Sequence, residues 1–206
     1  MEILFCILIG YGLGCLSPAA FVAALKKKDL RSSGTQNLGA TNTMLVVGRK
    51  WGIAVMLFDI LKGAVAMLIA RALYPKLALG RLIAGLSAVI GHVFPFYMGF
   101  RGGKGLATFG GMVLAYDPVI FLLLLVIGLI GMFILNYGIA MPMSAAFLFP
   151  ILVWLKTGDW ASAGLCAAAS ATIIVKHWSN IDKARAGTDV KVRSFFRNGL
   201  KRKDGC

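Results

Sequence analysis

Acidic residues are scarce in this chain, which has 8 Asp and Glu against 22 Lys and Arg. Charged residues of both signs make up only 15% of its 206 residues, whereas 59% are hydrophobic. Soluble domains are about half apolar and about a quarter charged, so this composition excludes an ordinary soluble protein. In so apolar a chain, membrane topology explains the net charge of +14 better than a nucleic-acid partner does.

Cysteine pairs, polar linkers and repeats are also lacking. None of the four cysteines forms a C-x-x-C pair, so we expect neither a metal site nor a disulfide scaffold, and no cofactor. No polar segment is long enough to separate two folded units, which predicts a single membrane domain over residues 1–206. The absence of an internal repeat disfavours an inverted-repeat transporter.

Long apolar stretches dominate instead, and they lack the period-2 alternation of barrel strands. We therefore predict an all-α membrane protein, a seven-helix transmembrane bundle. The predicted spans are residues 3–25, 52–73, 82–100, 104–116, 119–135, 139–155 and 161–176. A full crossing needs about 20 residues. Segment 104–116 must therefore be tilted, packed inside protein or half-spanning.

Basic residues divide unevenly between the two predicted membrane faces. Seventeen of the 22 lie in loop 26–50, at Arg101 and Lys104, and from Lys176 onward. Four lie on the opposite face, and Lys62 falls within a span. The positive-inside rule then predicts that the face with seventeen basic residues is cytoplasmic. It also predicts an outside N-terminus and a cytoplasmic C-terminus. The basic tail, residues 182–206, contains Phe195 and Phe196 and is predicted to adhere to anionic lipid.

The first polar cluster is the stretch from residue 31 to residue 42, on the basic face. Small residues let its backbone turn sharply around an anion, and hydroxyls and amides add donors. A flexible polar loop would use the same residue types, but the length and position of the run favour a ligand-binding loop. The candidate binding residues here are Ser33, Gly34, Thr35, Asn37 and Asn42.

The second cluster runs from Gly91-His92 to the segment Gly102-Gly103-Lys104-Gly105. Glycines beside a lysine, directly before an apolar segment, place backbone N–H groups and an ammonium at a helix start, which favours phosphate binding. The segment is not a nucleotide P-loop, because that motif has Ser or Thr after its lysine. A tight interhelical turn is the alternative. His92 is more typical of a structural residue, and Pro95 is expected to kink its helix.

The third cluster, at the end of the last span, contains His177 and Asn180. If the helix continues, these two share one face and can meet one ligand. A His177–Asp182 dyad would require the helix to break, because five residues turn a helix by about 140°. An interfacial anchor is the alternative interpretation. Asp59 and Lys62, within a span, indicate either a functional site or a structural ion pair.

Together the three clusters resemble the bacterial acyl-phosphate:glycerol-3-phosphate acyltransferase family. The resemblance covers residues 31 to about 189 and also includes the Phe58-Asp59 and Leu61-Lys62-Gly63 segment. It implies seven helices and a cytoplasmic active site in the bacterial cell (inner) membrane. It also implies transfer of a fatty acyl group from acyl phosphate to glycerol 3-phosphate, giving lysophosphatidic acid and phosphate. This reaction is the first step of phospholipid synthesis. A soluble acyl-phosphate synthase would supply the donor, and membrane lipids would surround the enzyme.

An acyl phosphate is already activated, so such a transfer needs positioning and charge stabilisation rather than a protein nucleophile. We predict that Lys104 and the amides of Gly102, Gly103 and Gly105 hold one phosphate, with Arg101 alongside. The 31–42 residues would hold the other substrate. His177 and Asn180 would orient the attacking hydroxyl, and the proton acceptor is either His177 or a substrate phosphate.

Three positions depart from the usual pattern of the family. Gln36 stands where a glycine is usual, Leu45 where many members have arginine, and Lys176 where arginine is common. Arg49 is the candidate to replace the arginine missing at Leu45. These changes bear on the acceptor, so an acyltransferase with another acceptor is an alternative. A transporter or channel for a small phosphorylated solute is another, as is an acyltransferase with a His-x4-Asp dyad.

Overall fold

The computed structural model describes residues 1–189 and 191–193, and the remaining tail residues, with Phe195 and Phe196, lie outside this part. Within the described residues there are nine α-helices, a short 3-10 helix and one isolated β-bridge. The α-helices are α1 (Glu2–Cys15), α2 (Pro18–Leu25), α3 (Ala40–Val46), α4 (Arg49–Leu73), α5 (Gly80–Val93), α6 (Leu106–Tyr116), α7 (Pro118–Leu135), α8 (Ala140–Thr157) and α9 (Trp160–Arg185). The 3-10 helix is Phe96–Met98.

In the part of the chain that the structure describes, five helical segments are long and apolar enough to cross a membrane: Glu2–Leu25, Arg49–Leu73, Gly80–Met98, Pro118–Leu135 and Ala140–Thr157. Helix α9 is longer, at 26 residues, but more polar at its C-terminal end. Helix α6 has 11 residues and is about 17 Å long, roughly half of the hydrocarbon thickness. The prediction of an all-α membrane protein is confirmed, and α6 is the short helix that the sequence indicated.

Three local predictions were wrong or incomplete. The first apolar stretch is two helices, because the chain turns at Leu16 and α2 restarts at Pro18, with Ser17 as its N-cap. Pro95 does not kink a helix: α5 has already ended at Val93, and the 3-10 helix follows. A short helix, α3, which was not predicted from the sequence, lies inside loop 26–50.

Helix α9 runs unbroken to Arg185, well past the predicted end at residue 176. His177 and Asn180 therefore lie three residues apart on one helical face. The same continuity contradicts the His177–Asp182 dyad, which needed a break in this helix.

Helix α6 lies at the centre of the fold and packs against α4, α5, α7 and α9. Its buried Phe109 and Met112 share one apolar core with Phe149 from α8 and Ile173 from α9. Phe109 and Phe149 meet edge to face with ring centroids 5.5 Å apart. This packing fixes α6, and hence its N-terminus, against four neighbouring helices.

Close packing of α4 and α6 depends on glycine. A Cβ at Gly111 would overlap the backbone oxygen of Ile60, whereas a Cβ at the adjacent Gly110 has its nearest neighbour, on Phe121, at 3.7 Å. We expect Gly111→Ala to lower stability by about 1–3 kcal/mol, the usual cost of overpacking. Thermal unfolding in detergent measures this, with Gly110→Ala as the matched control. Equal melting temperatures for the two variants would contradict the packing described.

Candidate active site

The loop before α3 is held together by one side chain, that of Asn42, which is completely buried. Its Nδ2 donates to the backbone oxygens of Leu30 at 2.8 Å and Ser33 at 3.1 Å, and its Oδ1 accepts from the backbone N–H of Thr35 at 2.7 Å. Buried polar groups need such partners, so Asn42 sets the shape of the loop. Its predicted contact with a substrate stays a prediction.

Two residues of this loop have left-handed backbone conformations, Gly34 with φ of 61° and Gln36 with φ of 58°. A Cβ at Gly34 would overlap the Oδ1 of Asn42, so this position requires glycine. Gln36 occupies a conformation that costs a non-glycine residue roughly 1–2 kcal/mol. This explains physically why glycine is usual at the Gln36 position in the family that the sequence resembles.

The glycine loop, residues 102–105, folds back onto the end of α5. The N–H of Gly102 donates to the oxygen of Val93 at 3.0 Å, and the N–H of Gly103 donates to the oxygen of His92 at 3.2 Å. These bonds correct the prediction that both amides hold phosphate, because each backbone N–H has one proton to donate. The two glycines position the loop, and the donors that remain for an anion are those beyond them.

Helix α6 begins immediately after this loop, with Gly105 as its N-cap and no side-chain cap. The first N–H groups of a helix lack intrahelical partners and attract anions. Gly105, Leu106 and Ala107, which form this helix start, all line one cavity. Lys104 precedes them. A lysine therefore directly precedes the N-terminus of a helix, as the sequence predicted.

The Lys104 side chain is half-buried and its ammonium donates to the Oδ1 of Asn180 on α9. Burial lowers the pKa of Lys104, and the charges of Lys183 and Lys176 lower it further, while Asp189 opposes them. A bound phosphate would favour the charged form and so raise this pKa. The site therefore gains electrostatic energy when it takes an anion.

His177 is buried on α9, one turn before Asn180. Its Nδ1 lies 2.9 Å from the backbone oxygen of Ile173, a group that only accepts, so Nδ1 bears the proton. In the neutral ring, Nε2 is then left with a lone pair, and the ring lines the same cavity as Lys104. This tautomer suits a hydrogen-bond acceptor or a general base.

These elements meet at a cavity of about 370 Å³. Its polar end is formed by residues from all three clusters: Asn37, Gly39, Thr41, His92, Lys104, Gly105 and His177. Large apolar side chains from four helices form most of the remaining lining: Met56, Ile60, Leu106, Phe109, Val113, Phe121, Leu124, Leu125 and Met141. A cationic end joined to an apolar chamber fits an amphiphile with an anionic head.

The other predicted residues lie around the cavity or away from it. Ser33, Gly34 and Thr35 belong to the loop that carries Asn37. Arg101 is exposed, and its backbone oxygen accepts from the Arg31 guanidinium at 2.9 Å. Arg31, which the sequence did not single out, therefore ties the first cluster to the second.

Two residues that concern the departures from the family pattern lie outside the cavity. Arg49 begins α4 and is exposed, and it is absent from the cavity lining among the described residues. Leu45 is 45% exposed on α3. The predicted phosphate contact of Arg49 stays a prediction. The third departure, Lys176, lies over the ring of Phe94 at 5.0 Å from its centroid.

A buried ionic cluster lies beside the polar end. Lys62 Nζ is 2.8 Å from Asp59 Oδ1 and 2.8 Å from His92 Nδ1, and it donates to the backbone oxygen of Leu16 at 2.6 Å. Asp59 and His92 both line the cavity. The sequence indicated the Asp59–Lys62 pair but not its third member, because His92 is 30 residues further along the chain.

The fold and the cavity together define an integral membrane protein with a cavity that is lined by polar, cationic and apolar residues. Comparison with known proteins identifies the family. The family model described as Glycerol-3-phosphate acyltransferase matches residues 4–187. The chain belongs to the glycerol-3-phosphate acyltransferase family, and it is an acyltransferase.

Relatives and solved structures agree over nearly the whole chain. The glycerol-3-phosphate acyltransferase of Listeria welshimeri is 38% identical over 190 residues, which cover 90% of this chain and 94% of the relative. That of Enterococcus faecalis is 34% identical and covers 96% and 95%. Crystal structures of PlsY, an integral membrane glycerol 3-phosphate acyltransferase, superpose with TM-scores of 0.86 for the glycerol 3-phosphate form and 0.84 for the lysophosphatidic acid form. The former is 30% identical and covers 93% of this chain and 96% of that structure.

Proposed function

We propose that this protein transfers a fatty acyl group from acyl phosphate to glycerol 3-phosphate, giving lysophosphatidic acid and inorganic phosphate, the first step of phospholipid synthesis. The observation that supports this most is the cavity, whose polar end comes from three separate stretches and whose apolar end suits an acyl chain. Acyl phosphate has this same division between a phosphate head and a fatty chain. A soluble acyl-phosphate synthase is the supplier that the family implies.

Lys104 and the N-terminus of α6 hold a phosphate at the mouth of the chamber, next to Asn180. The 31–42 loop presents Asn37 and Thr41 to the same space and holds the second phosphorylated substrate. Each phosphate brings negative charge to a region with several cations, which lowers the cost of binding both together.

In the transfer, a hydroxyl oxygen of glycerol 3-phosphate attacks the acyl carbonyl carbon. The bond between that carbon and the phosphate oxygen breaks, and inorganic phosphate leaves with the bonding electrons. The hydroxyl proton passes to a base, either His177 Nε2 or a substrate phosphate oxygen. Positioning and electrostatic stabilisation of the leaving phosphate supply the catalysis.

The proposed topology follows from charge. All three clusters of the site, and most of the Lys and Arg residues, belong to the face that the positive-inside rule assigns to the cytoplasm. We place the active site there, in the bacterial inner membrane, with seven spans in one domain and the N-terminus outside. Both the acceptor and the acyl-phosphate synthase are soluble, so they would reach the site from this side.

The assay that tests the function uses the purified protein in liposomes with palmitoyl phosphate and a panel of hydroxyl acceptors. We expect phosphate release that requires glycerol 3-phosphate, with one lysophosphatidic acid formed per phosphate. Release that is indifferent to the acceptor would contradict the proposal. Uptake of glycerol 3-phosphate without turnover would favour the transporter instead.

The apolar chamber also makes a prediction about chain length. Gly110 lines the chamber, and its nearest neighbour at a built Cβ is Phe121, 3.7 Å away, so a side chain there would project into the space for the acyl group. We expect Gly110→Leu to shift the preference from long acyl phosphates to shorter ones by about tenfold in relative kcat/KM, a change of about 1.4 kcal/mol. Competition between lauroyl and stearoyl phosphate measures it. Gly164→Ala, in open space on α9, is the control.

A further inference from the structure

In the cluster of Asp59, Lys62 and His92, the lysine is held by two hydrogen-bond contacts and one ion pair. An ammonium carries three N–H groups. Lys62 Nζ donates to the backbone oxygen of Leu16 at 2.6 Å and lies 2.8 Å from His92 Nδ1. Its 2.8 Å contact with Asp59 Oδ1 is an ion pair without a hydrogen bond, since that buried oxygen has no hydrogen-bond partner among the described residues. The lysine thus joins α4 to α5 and to the turn between α1 and α2.

This arrangement decides the tautomer of His92. If Nδ1 bore the proton, two donors would face each other at 2.8 Å across the contact with Lys62. Nδ1 therefore accepts, and in the neutral ring the proton lies on Nε2. Asp59 Oδ1 is 3.3 Å from the same Nδ1 and balances the lysine charge. Lys62 and Asp59 therefore both contact the Nδ1 side of the His92 ring.

The opposite side of the ring faces the glycine loop. A Cβ at Gly103 would overlap His92 Nε2, so that nitrogen borders the residue directly before Lys104. The ring also lines the cavity. The backbone oxygen of His92 in addition accepts from the N–H of Gly103. His92 therefore both shapes the glycine loop and presents an N–H beside it.

We infer that His92 is a further catalytic residue, whose Nε2–H donates to an oxygen of the phosphate that Lys104 binds. Asp59 and Lys62 are positioning residues that hold the ring in the donating tautomer. This inference rests on the proposed function. The two histidines would then have opposite tasks in one cavity: His92 donates through Nε2, and His177 accepts through Nε2.

The tautomers can be measured directly, because the chain has only 2 histidines. In protein labelled with ¹⁵N-histidine, nitrogen shifts distinguish a protonated ring nitrogen from a bare one, and a His177→Ala sample assigns the signals. We expect a proton on Nε2 of His92, and loss of that preference in Lys62→Met. A His92 signal with the proton on Nδ1 would overturn the inference, whether or not the enzyme turns over.

Two substitutions of His92 separate donation to substrate from support of Lys62. Glutamine places an N–H₂ donor near the Nε2 position, whereas asparagine keeps an acceptor near the Nδ1 position for Lys62. We expect His92→Gln to retain at least about tenfold more activity than His92→Asn, equivalent to about 1.4 kcal/mol. Melting temperatures in detergent show that both variants are folded.

The reverse order, or equal activity, would show that His92 only supports the lysine, and would overturn the inference. Wild-type protein that releases no phosphate from palmitoyl phosphate with glycerol 3-phosphate would instead contradict the proposed function. The two failures are therefore distinguishable.

Discussion

Replacing Lys104 with alanine should reduce kcat/KM for acyl transfer by at least about a hundredfold, the loss expected when one charge-stabilising donor is removed. The reason is local: the half-buried ammonium stands at the uncapped start of α6 and is oriented by Asn180. The amides of Gly102 and Gly103 do not compensate, because they already donate to α5. Initial rates at limiting palmitoyl phosphate and glycerol 3-phosphate measure the effect.

The matched control is Lys50→Ala, which removes the same charge from an exposed position in the first turn of α4. It should leave the rate within about twofold, because an exposed charge away from the site is largely screened. Near-normal turnover by Lys104→Ala at limiting substrate would show that the phosphate assignment is wrong.

Gly103→Ala should have the second largest effect. Its methyl group would overlap His92 Nε2 and the backbone oxygen of Leu38, so the glycine loop must move away from both. A displacement of about 1 Å of a positioning group can cost about a hundredfold in rate. We expect a loss of that order in kcat, measured with saturating substrates, in a protein that still inserts and folds.

Gly164→Ala adds the same methyl group in open space and should be silent. If Gly103→Ala retained normal kcat, then the contact of the loop with His92 and Leu38 would not matter for catalysis. That result would also weaken the inferred role of His92.

The length of the apolar stretches predicted most of the helices, because lipid permits few alternatives to helices for stretches of this composition. The orientation that the basic residues predict stays a prediction. Four of the predicted stretches, 52–73, 104–116, 119–135 and 139–155, each correspond to one helix with ends within a few residues. The first stretch is two helices, the α-helix of the third ends early at Val93, and α9 extends to Arg185. Sequence could not predict α3, since its segment, Ala-Thr-Asn-Thr-Met-Leu-Val, is short and has polar and β-branched residues that disfavour helix. The turn before Pro18 was hidden inside a continuous apolar run.

The residue types of the site could be predicted from the sequence, but the hydrogen bonds between them could not. Glycines, lysine, histidine and asparagine indicated phosphate chemistry, and the structure brings Asn37, Lys104 and His177 to one cavity. Which donors are free depends on tertiary contacts: the hydrogen bonds of Gly102 and Gly103 to α5 show this. No periodicity in a sequence reveals such pairings.

Gln36 and Leu45 show how far residue types alone can be interpreted. Gln36 keeps the left-handed backbone that glycine adopts at no cost, so the loop retains its shape with a strained residue. Leu45 is exposed on α3, so an arginine there would need only to extend over the surface toward the loop. Both departures lie in the first cluster and the short helix α3 that follows it, rather than in the framework of long helices.

A structure of the protein bound to a non-hydrolysable acyl phosphonate and glycerol 3-phosphate is the most direct test of the account. We predict a phosphonate oxygen about 3 Å from Lys104 Nζ, with the acyl chain along Phe121 and Leu124 and the second phosphate against the 31–42 loop. Phosphorus density at the membrane face bearing Arg71 and Lys156, or outside this cavity, would contradict it.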